Sequence, residues 1–297
     1  MKHFATLFFI AQLLTGGCHA LAQEANTALV SITYDFVHVN DTTNREKPIK
    51  EEMILYLGEK GSVYKSLTKE KAMKAAQEKL LETLGPERAR NFTTSRSFSF
   101  GGAGMSNDDL FQFPGQGKLV TSSKLGMNDY LIENPLPKID WQIKEDTKEI
   151  GGYDCQLATG HYAGRDYSAW FCPELPFSAG PWKFSGLPGV ILEIADSKEE
   201  VIFRFKELQK LETDAPQIAL PEGALKTTEK NFANAKEAFE QNPTAGMNAP
   251  PGAIVKRVFK DQSGREISAD EANANRLRAL KEAKERNNNP IELNTKR

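Results

Sequence analysis

The chain is poor in the residues that most often carry catalysis. It has 297 residues but only 4 histidines, 3 cysteines and 3 tryptophans. His38 and His161 lie far apart, and neither stands in a His-Glu-x-x-His frame, so a helical zinc site of that kind is excluded. No Gly-x-Ser-x-Gly elbow occurs, which removes the usual nucleophile of α/β-hydrolases. Ser62-Val63-Tyr64-Lys65 and Ser66-Leu67-Thr68-Lys69 both match Ser-x-x-Lys but lack the Ser-Asp-Asn and Lys-Thr-Gly companions of serine acyl enzymes. Gly101-Gly102-Ala103-Gly104 is followed by no Gly-Lys-Ser/Thr, so it is no phosphate loop. Charge of one sign is also missing. The formal net charge of -2 leaves no electrostatic footprint for nucleic acid. No cofactor or metal is implied.

Long apolar runs are absent too, so no transmembrane segment is expected. Residues 1-22 resemble a secretory leader: Lys2, a short apolar core from Phe4 to Leu14, and Ala20-Leu21-Ala22 as a small-x-small cleavage site. Leu14-Thr15-Gly16-Gly17-Cys18 offers an alternative, lipidation at Cys18. Either route sends the chain to the periplasm or cell envelope, where disulfides persist.

What is present is β-strand pattern. Val30, Ile32, Tyr34, Phe36 and His38 alternate, and residues 53-57 and 62-64 pair through Gly58-Glu59-Lys60-Gly61. Thr68 to Leu84 carries an alanine- and leucine-rich stripe at helical spacing, with Ser66 or Thr68 as its cap. Asn91 to Asp109 has little periodicity and reads as a loop. From Lys118 to Leu211 short strands alternate with turns: 119-123, 129-134, 141-149, 153-162, 165-172, 190-194 and 200-208. Short connections favour antiparallel neighbours. Beyond Pro216 the chain turns polar, with helices expected over 227-242 and 269-286 as a solvated flank and a linker over 242-252.

Cys155 and Cys172 flank the hairpin from Tyr153 to Cys172. With Ala163-Gly164 as a two-residue loop, Tyr162 faces Arg165 and the cysteines fall opposite at a non-hydrogen-bonded site, suited to a disulfide. If Gly164 instead closes a three-residue bulged loop, they do not align. A Cys155-His161 dyad is excluded, because six strand residues separate them by about 20 Å.

The most specific stretch runs from Gly180 to Leu192. Gly180-Pro181 makes a bend, Trp182 and Phe184 alternate on an extended segment, and Leu187-Pro188-Gly189-Val190 suits a type II turn after Gly186. It reads as a core-plugging corner or as a platform presenting Trp182 and Leu187 to a ligand. Three blocks, Ile150-Gly151-Gly152-Tyr153-Asp154-Cys155-Gln156-Leu157-Ala158, Gly164-Arg165-Asp166-Tyr167-Ser168-Ala169-Trp170-Phe171, and Gly180 to Leu192, together resemble the GLPGLI family of exported Bacteroidota-type proteins. Val190 stands where the family's name has Leu, and Asn289-Pro290-Ile291-Glu292-Leu293 is also similar. The resemblance implies export and no particular reaction.

The expectation is a mainly β (α+β) protein. Residues 23-215 form an antiparallel meander, as a curved sheet or half-open barrel loosely similar to periplasmic lipoprotein carriers, with one covering helix. Residues 216-297 form a polar extension. The expected role is non-enzymatic binding of an apolar ligand, an envelope component or a partner protein, through Trp170, Trp182, Phe184, Leu187 and Arg165. The rival classes are a secreted hydrolase with paired carboxylates and a structural envelope protein without a ligand.

Overall fold

A computed structural model describes residues 26–86, 106–126, 128–212, 215–241, 259–260 and 264–293. The leader with Cys18, the Gly101-Gly104 cluster and the 242-252 linker lie outside the described residues.

Alternating side chains generate one large sheet. Its strands are β1 (Ala28–His38), β2 (Ile49–Gly58), β3 (Ser62–Ser66), β4 (Asp108–Phe113), β5 (Lys118–Leu125), β6 (Asn128–Pro135), β7 (Gln142–Ile150), β8 (Tyr153–Tyr162), β9 (Arg165–Cys172), β10 (Val190–Asp196), β11 (Val201–Lys210) and β12 (Leu225–Thr227). The spatial order is β12-β6-β5-β4-β3-β2-β1-β11-β10-β9-β8-β7. Every pair is antiparallel except β12 on β6, so this is an open, mixed twelve-stranded sheet. The chain runs outward from β1 to β6, crosses to the far edge at β7, and returns to β1 through β11. The crossing, residues 136-141, is short, which draws the two edges toward each other and curves the sheet. Trp141 holds this link: its Nε1 donates to Ser185 O at 2.9 Å, and its ring fills the space that Gly160 leaves by lacking a side chain.

The concave face carries the main core. Ile32 and Tyr34 of β1, Leu55 of β2, Phe171 of β9 and Phe203 of β11 are buried there with Phe184 and Leu187. A second cluster lies on the opposite face of β3 to β6, where Val63, Phe111, Phe113, Val120 and Leu131 pack against Ile218. That second layer explains β4, which the sequence pattern leaves unassigned beyond the loop ending at Asp109. Leu110 to Phe113 is buried on both faces, so it shows no alternation.

The hairpins follow the expected registers. Gly58 N donates to Gly61 O at 2.9 Å and Leu57 faces Ser62. In the β8-β9 hairpin Tyr162 faces Arg165, and Ala163 and Gly164 both have positive φ (50° and 85°), as a two-residue type I′ turn requires. The three-residue alternative is thereby excluded. Edge strand β7 is guarded by Lys144, Glu145, Asp146, Lys148 and Glu149 and by a bulge between Ile143 and Thr147.

Three helices among the described residues flank the sheet: α1 (Leu67–Leu84), α2 (Glu229–Gln241) and α3 (Ala269–Arg286). Ser66 caps α1, its Oγ accepting from Lys69 N at 2.9 Å. The apolar stripe of α1 does not cover the sheet as expected; no residue of the helix is buried. Half of its stripe is alanine (Ala72, Ala75 and Ala76), which offers little area to be gained from docking. β13 (Phe259–Lys260) and β14 (Glu266–Ile267) form a separate two-stranded pair.

The corner after β9 departs from its expected geometry. Gly189 N donates to Leu187 O at 2.9 Å, an i to i+2 turn, while Val190 N bonds Leu175 O at 3.2 Å. No type II turn forms, because Gly189 takes φ 154° to pass close over Cys172. A Cβ on Gly189 would lie 2.1 Å from Cys172 O. Gly189→Ala is therefore expected to destabilise the fold by about 2–4 kcal/mol, read as a lower urea midpoint, whereas Gly115→Ala, with open space around it and no positive φ, is expected to cost under about 1 kcal/mol.

Candidate functional site

The concave face is filled only in part. On the β8 to β11 side Phe184 plugs it, with ring centroids 4.7 Å from Tyr167, 5.2 Å from Trp182 and 6.0 Å from Phe203. On the β1 to β6 side a cavity of about 520 Å³ remains. Phe36, Met53, Tyr64, Leu110, Ile132 and Phe203 form its apolar floor. Trp182 and Lys183 reach over it from the corner, Phe232 and Glu229 from α2, and Ile291 and Glu292 from the segment after α3. Glu51, Asp108, Ser106, Thr121 and Ser123 make one side of the wall polar.

Trp182 is held at the rim by an unusual backbone. Its φ is 56°, a conformation bulky side chains rarely adopt, at a cost of order 1–3 kcal/mol. It sits in a turn closed by Phe184 N donating to Pro181 O at 3.1 Å, and Gln112 Nε2 clamps its carbonyl at 2.9 Å. The expected extended segment is absent, yet the Trp182 and Phe184 rings still meet edge to face, because the turn folds them together. Lys183 Nζ lies 5.3 Å from the Trp182 ring centroid and pairs with Glu292.

The other candidate residues divide. Phe184 and Leu187 are wholly core. Trp170 is on the opposite face of β9 from Tyr167 and Phe171, under Lys148 Nζ at 4.6 Å, and lies outside the cavity. Gly180 and Gly189 are buried within the corner, and only Gly186 and Pro188 of its turn residues are exposed. Pro181 closes the Trp182 turn.

Arg165 is 4% exposed and does not line the cavity; it ties the fold together. Its Nη1 donates to Asp196 Oδ2 at 2.7 Å and Glu200 Oε2 at 3.2 Å. Nη2 donates to Asn289 Oδ1 at 2.6 Å and Pro290 O at 2.9 Å, and Nε to Ile291 O at 2.9 Å. Asn289 in turn donates to Val39 O and Glu200 Oε2. Residues 289-293, expected within a solvated flank, are thus seated in the body of the protein and bring Ile291 and Glu292 to the cavity. Burial raises the Glu200 carboxyl, but hydrogen bonds from Arg45, Arg165 and Asn289 outweigh it and hold it below its ordinary value.

Cys155 and Cys172 occupy the positions that follow Gln156-Phe171 along the ladder, as the register requires, and are free, buried thiols. Burial pushes the Cys155 thiol up to about 12 and raises that of Cys172, so neither is a ready thiolate. Among the described residues no group of three or more His, Cys, Asp or Glu is placed to hold a metal ion. No described helix is long and apolar enough to cross a membrane.

Comparison with known proteins adds little to this geometry. A family model described as "Protein of unknown function (Porph_ging)" matches residues 164–193, from the β8-β9 turn through the corner into β10. No curated protein matches the chain. Two crystal structures of PNGF-II, in space groups P21 and C2, are similar at 11% and 13% identity, each with a TM-score of 0.47. They cover 70% and 71% of this chain, which spans only about a third (32% and 33%) of theirs.

The arginine cluster carries a pH dependence. Burial lowers the pKa of His38, whose Nε2 donates to Asn289 O at 2.7 Å, with Arg165, Asp196 and Glu200 as its charged neighbours. A histidine depressed on folding takes up more protons unfolded, so its contribution is complete above its ordinary value of 6.5 and declines as pH falls below it. Urea midpoints measured from roughly pH 7 to 5 should fall with pH, and His38→Gln should flatten that slope. A wild-type slope unchanged in the variant would remove His38 as its source.

Proposed function

We propose that this chain is an exported, non-enzymatic binding protein that holds an apolar ligand in the concave cavity beneath Trp182. The cavity carries the reading: about 520 Å³ of space, floored by apolar and aromatic side chains, with a few polar groups gathered on one wall. Its volume falls in the range of small-molecule sites, and its composition matches theirs. The strained backbone of Trp182 supports a role for that ring, since such conformations concentrate at ligand clamps. Membership of the GLPGLI family and export rest on the leader-like residues 1-22 and the linked motif blocks; the short family match falls on two of those blocks.

Two observations favour a ligand over the rival roles. The corner from Gly180 to Gly189 is mostly buried, so it offers little surface to a protein partner. Among the described residues the carboxyl whose pKa is raised overall, by burial, is Asp109, which is not among the cavity residues; its charged neighbours are Lys69, Lys65, Glu70 and Asp108. A paired-acid hydrolase needs its raised carboxyl in the cleft.

Titration with the neutral fluorophore N-phenyl-1-naphthylamine tests the reading. Wild type should bind and enhance its emission, Trp182→Ala should weaken binding roughly tenfold, and Trp170→Ala on the outer face should leave it unchanged. Equal binding by wild type and Trp182→Ala would move the site elsewhere. We further propose that Cys155 and Cys172 join in the oxidising envelope, where their register suits a disulfide. Intact mass of the envelope-purified protein should then rise on reduction, and an unchanged mass would leave them as thiols.

A further inference from the structure

The polar wall of the cavity is one-sided in charge. Among the described residues Glu51, Asp108, Glu229 and Glu292 line it against a single lysine, Lys183, which pairs with Glu292. Glu51 is 6% exposed on β2, yet no described lysine or arginine forms a salt bridge with it or with Asp108. Glu51 accepts from Ser66 Oγ and from Ser106 N, the latter at 3.0 Å to Oε2. Asp108 accepts from Ser123 Oγ. These are neutral donors, so no described cation beside the buried Glu51 offsets its formal charge, while Asp108, exposed at the start of β4, brings a second carboxylate to the same cavity.

A second, independent feature lies beside these acids. Tyr64 is 3% exposed and lines the same cavity, and its buried hydroxyl has no hydrogen-bond partner among the described residues. Glu51 lies within electrostatic range of that hydroxyl. An unpaired buried hydroxyl costs about 1–3 kcal/mol, a deficit that a ligand's polar group removes. Around it stand Phe36, Phe203, Phe232 and Trp182, whose ring faces attract cations. Lys183 over Trp182 is the protein's own instance of that contact.

Resting on the binding role proposed above, we infer that the ligand is an amphipathic amine: its ammonium group is held by Glu51 and Asp108, an N–H donates to the Tyr64 hydroxyl oxygen, and its apolar part lies along the aromatic floor. Two anionic acceptors, an orphaned hydroxyl and ring faces in one cavity select a cationic head over a neutral or anionic one.

Competition against N-phenyl-1-naphthylamine by three dodecyl compounds below their micellar concentrations tests this: dodecylammonium, neutral dodecyl maltoside and dodecanoate. Dodecylammonium should displace the fluorophore at concentrations roughly tenfold lower than dodecyl maltoside, and dodecanoate should be weakest. Glu51→Gln and Asp108→Asn should each erase most of that preference, read as the ratio of the displacing concentrations of dodecylammonium and dodecyl maltoside within the same variant. Asp108→Asn serves independently, since Glu51 also tethers Ser66 and Ser106. Equal displacement by the ammonium and the maltoside, or a preference intact in both variants, overturns the amine while the apolar site stands. Displacement by millimolar calcium but not by sodium at equal ionic strength puts a metal ion in the amine's place and overturns it too. If the fluorophore itself fails to bind wild type, the binding role falls with it.

Discussion

The buried guanidinium of Arg165 is the interaction on which the rest of the architecture leans. It gathers the start of β9, the β10-β11 connection through Asp196 and Glu200, the end of β1 through Asn289 and Val39, and the segment after α3. Each of those elements alone would leave a charge or a carbonyl stranded away from water. All five N–H donors of the planar fork are used: Nε meets one acceptor and Nη1 and Nη2 two each, all within 3.2 Å. A lysine could not substitute, because one point charge cannot face three directions at once. Such a cluster is weak as a source of stability and strong as a source of uniqueness, since any misplacement leaves a buried ion exposed to its full desolvation cost.

The sheet and the cavity follow from an imbalance in filling. Strands β8 to β11 bring Tyr167, Phe171, Ile191 and Phe203 against Phe184 and Leu187, and that half of the concave face is solid. Strands β2 to β6 spend part of their apolar side chains on the outer cluster around Val120 and Phe111. Less is left to fill the inner side, and the space beneath Trp182 persists. The same twist that curls the sheet therefore yields a packed half and a hollow half.

Much of this fold was legible from local pattern. Alternation in β1, the Gly58-Gly61 turn and the Ala163-Gly164 turn each specify a register by short-range chemistry, and the structure has all three. Strand β4 was hidden because burial on both faces abolishes the period of two. The α1 stripe misled because helical spacing of alanines and leucines reports a helix but not a partner for it. At the site, Trp182 was visible as an aromatic in a turn-rich motif. Phe184 and Leu187 shared that motif and proved to be core, and Trp170 faces outward. Glu51, Asp108 and Tyr64 gave no signal, since an acid or a tyrosine on a strand looks ordinary until its neighbours across the sheet are known. Arg165 likewise could not reveal partners 31, 35 and 124 positions away.

That last separation has a consequence in time. A chain made from its N-terminus onward has the whole sheet available long before Asn289 emerges, yet Nε and Nη2 of Arg165 find their acceptors only in residues 289-291. Until then the guanidinium is anchored only at Asp196 and Glu200, and water must satisfy its remaining donors. The sheet can pair early, but its polar centre dries out last. Completion of the fold is thus tied to a contact of very long loop length, the slowest kind to form, and the hollow beneath Trp182 acquires its Ile291 and Glu292 wall at that same closing step.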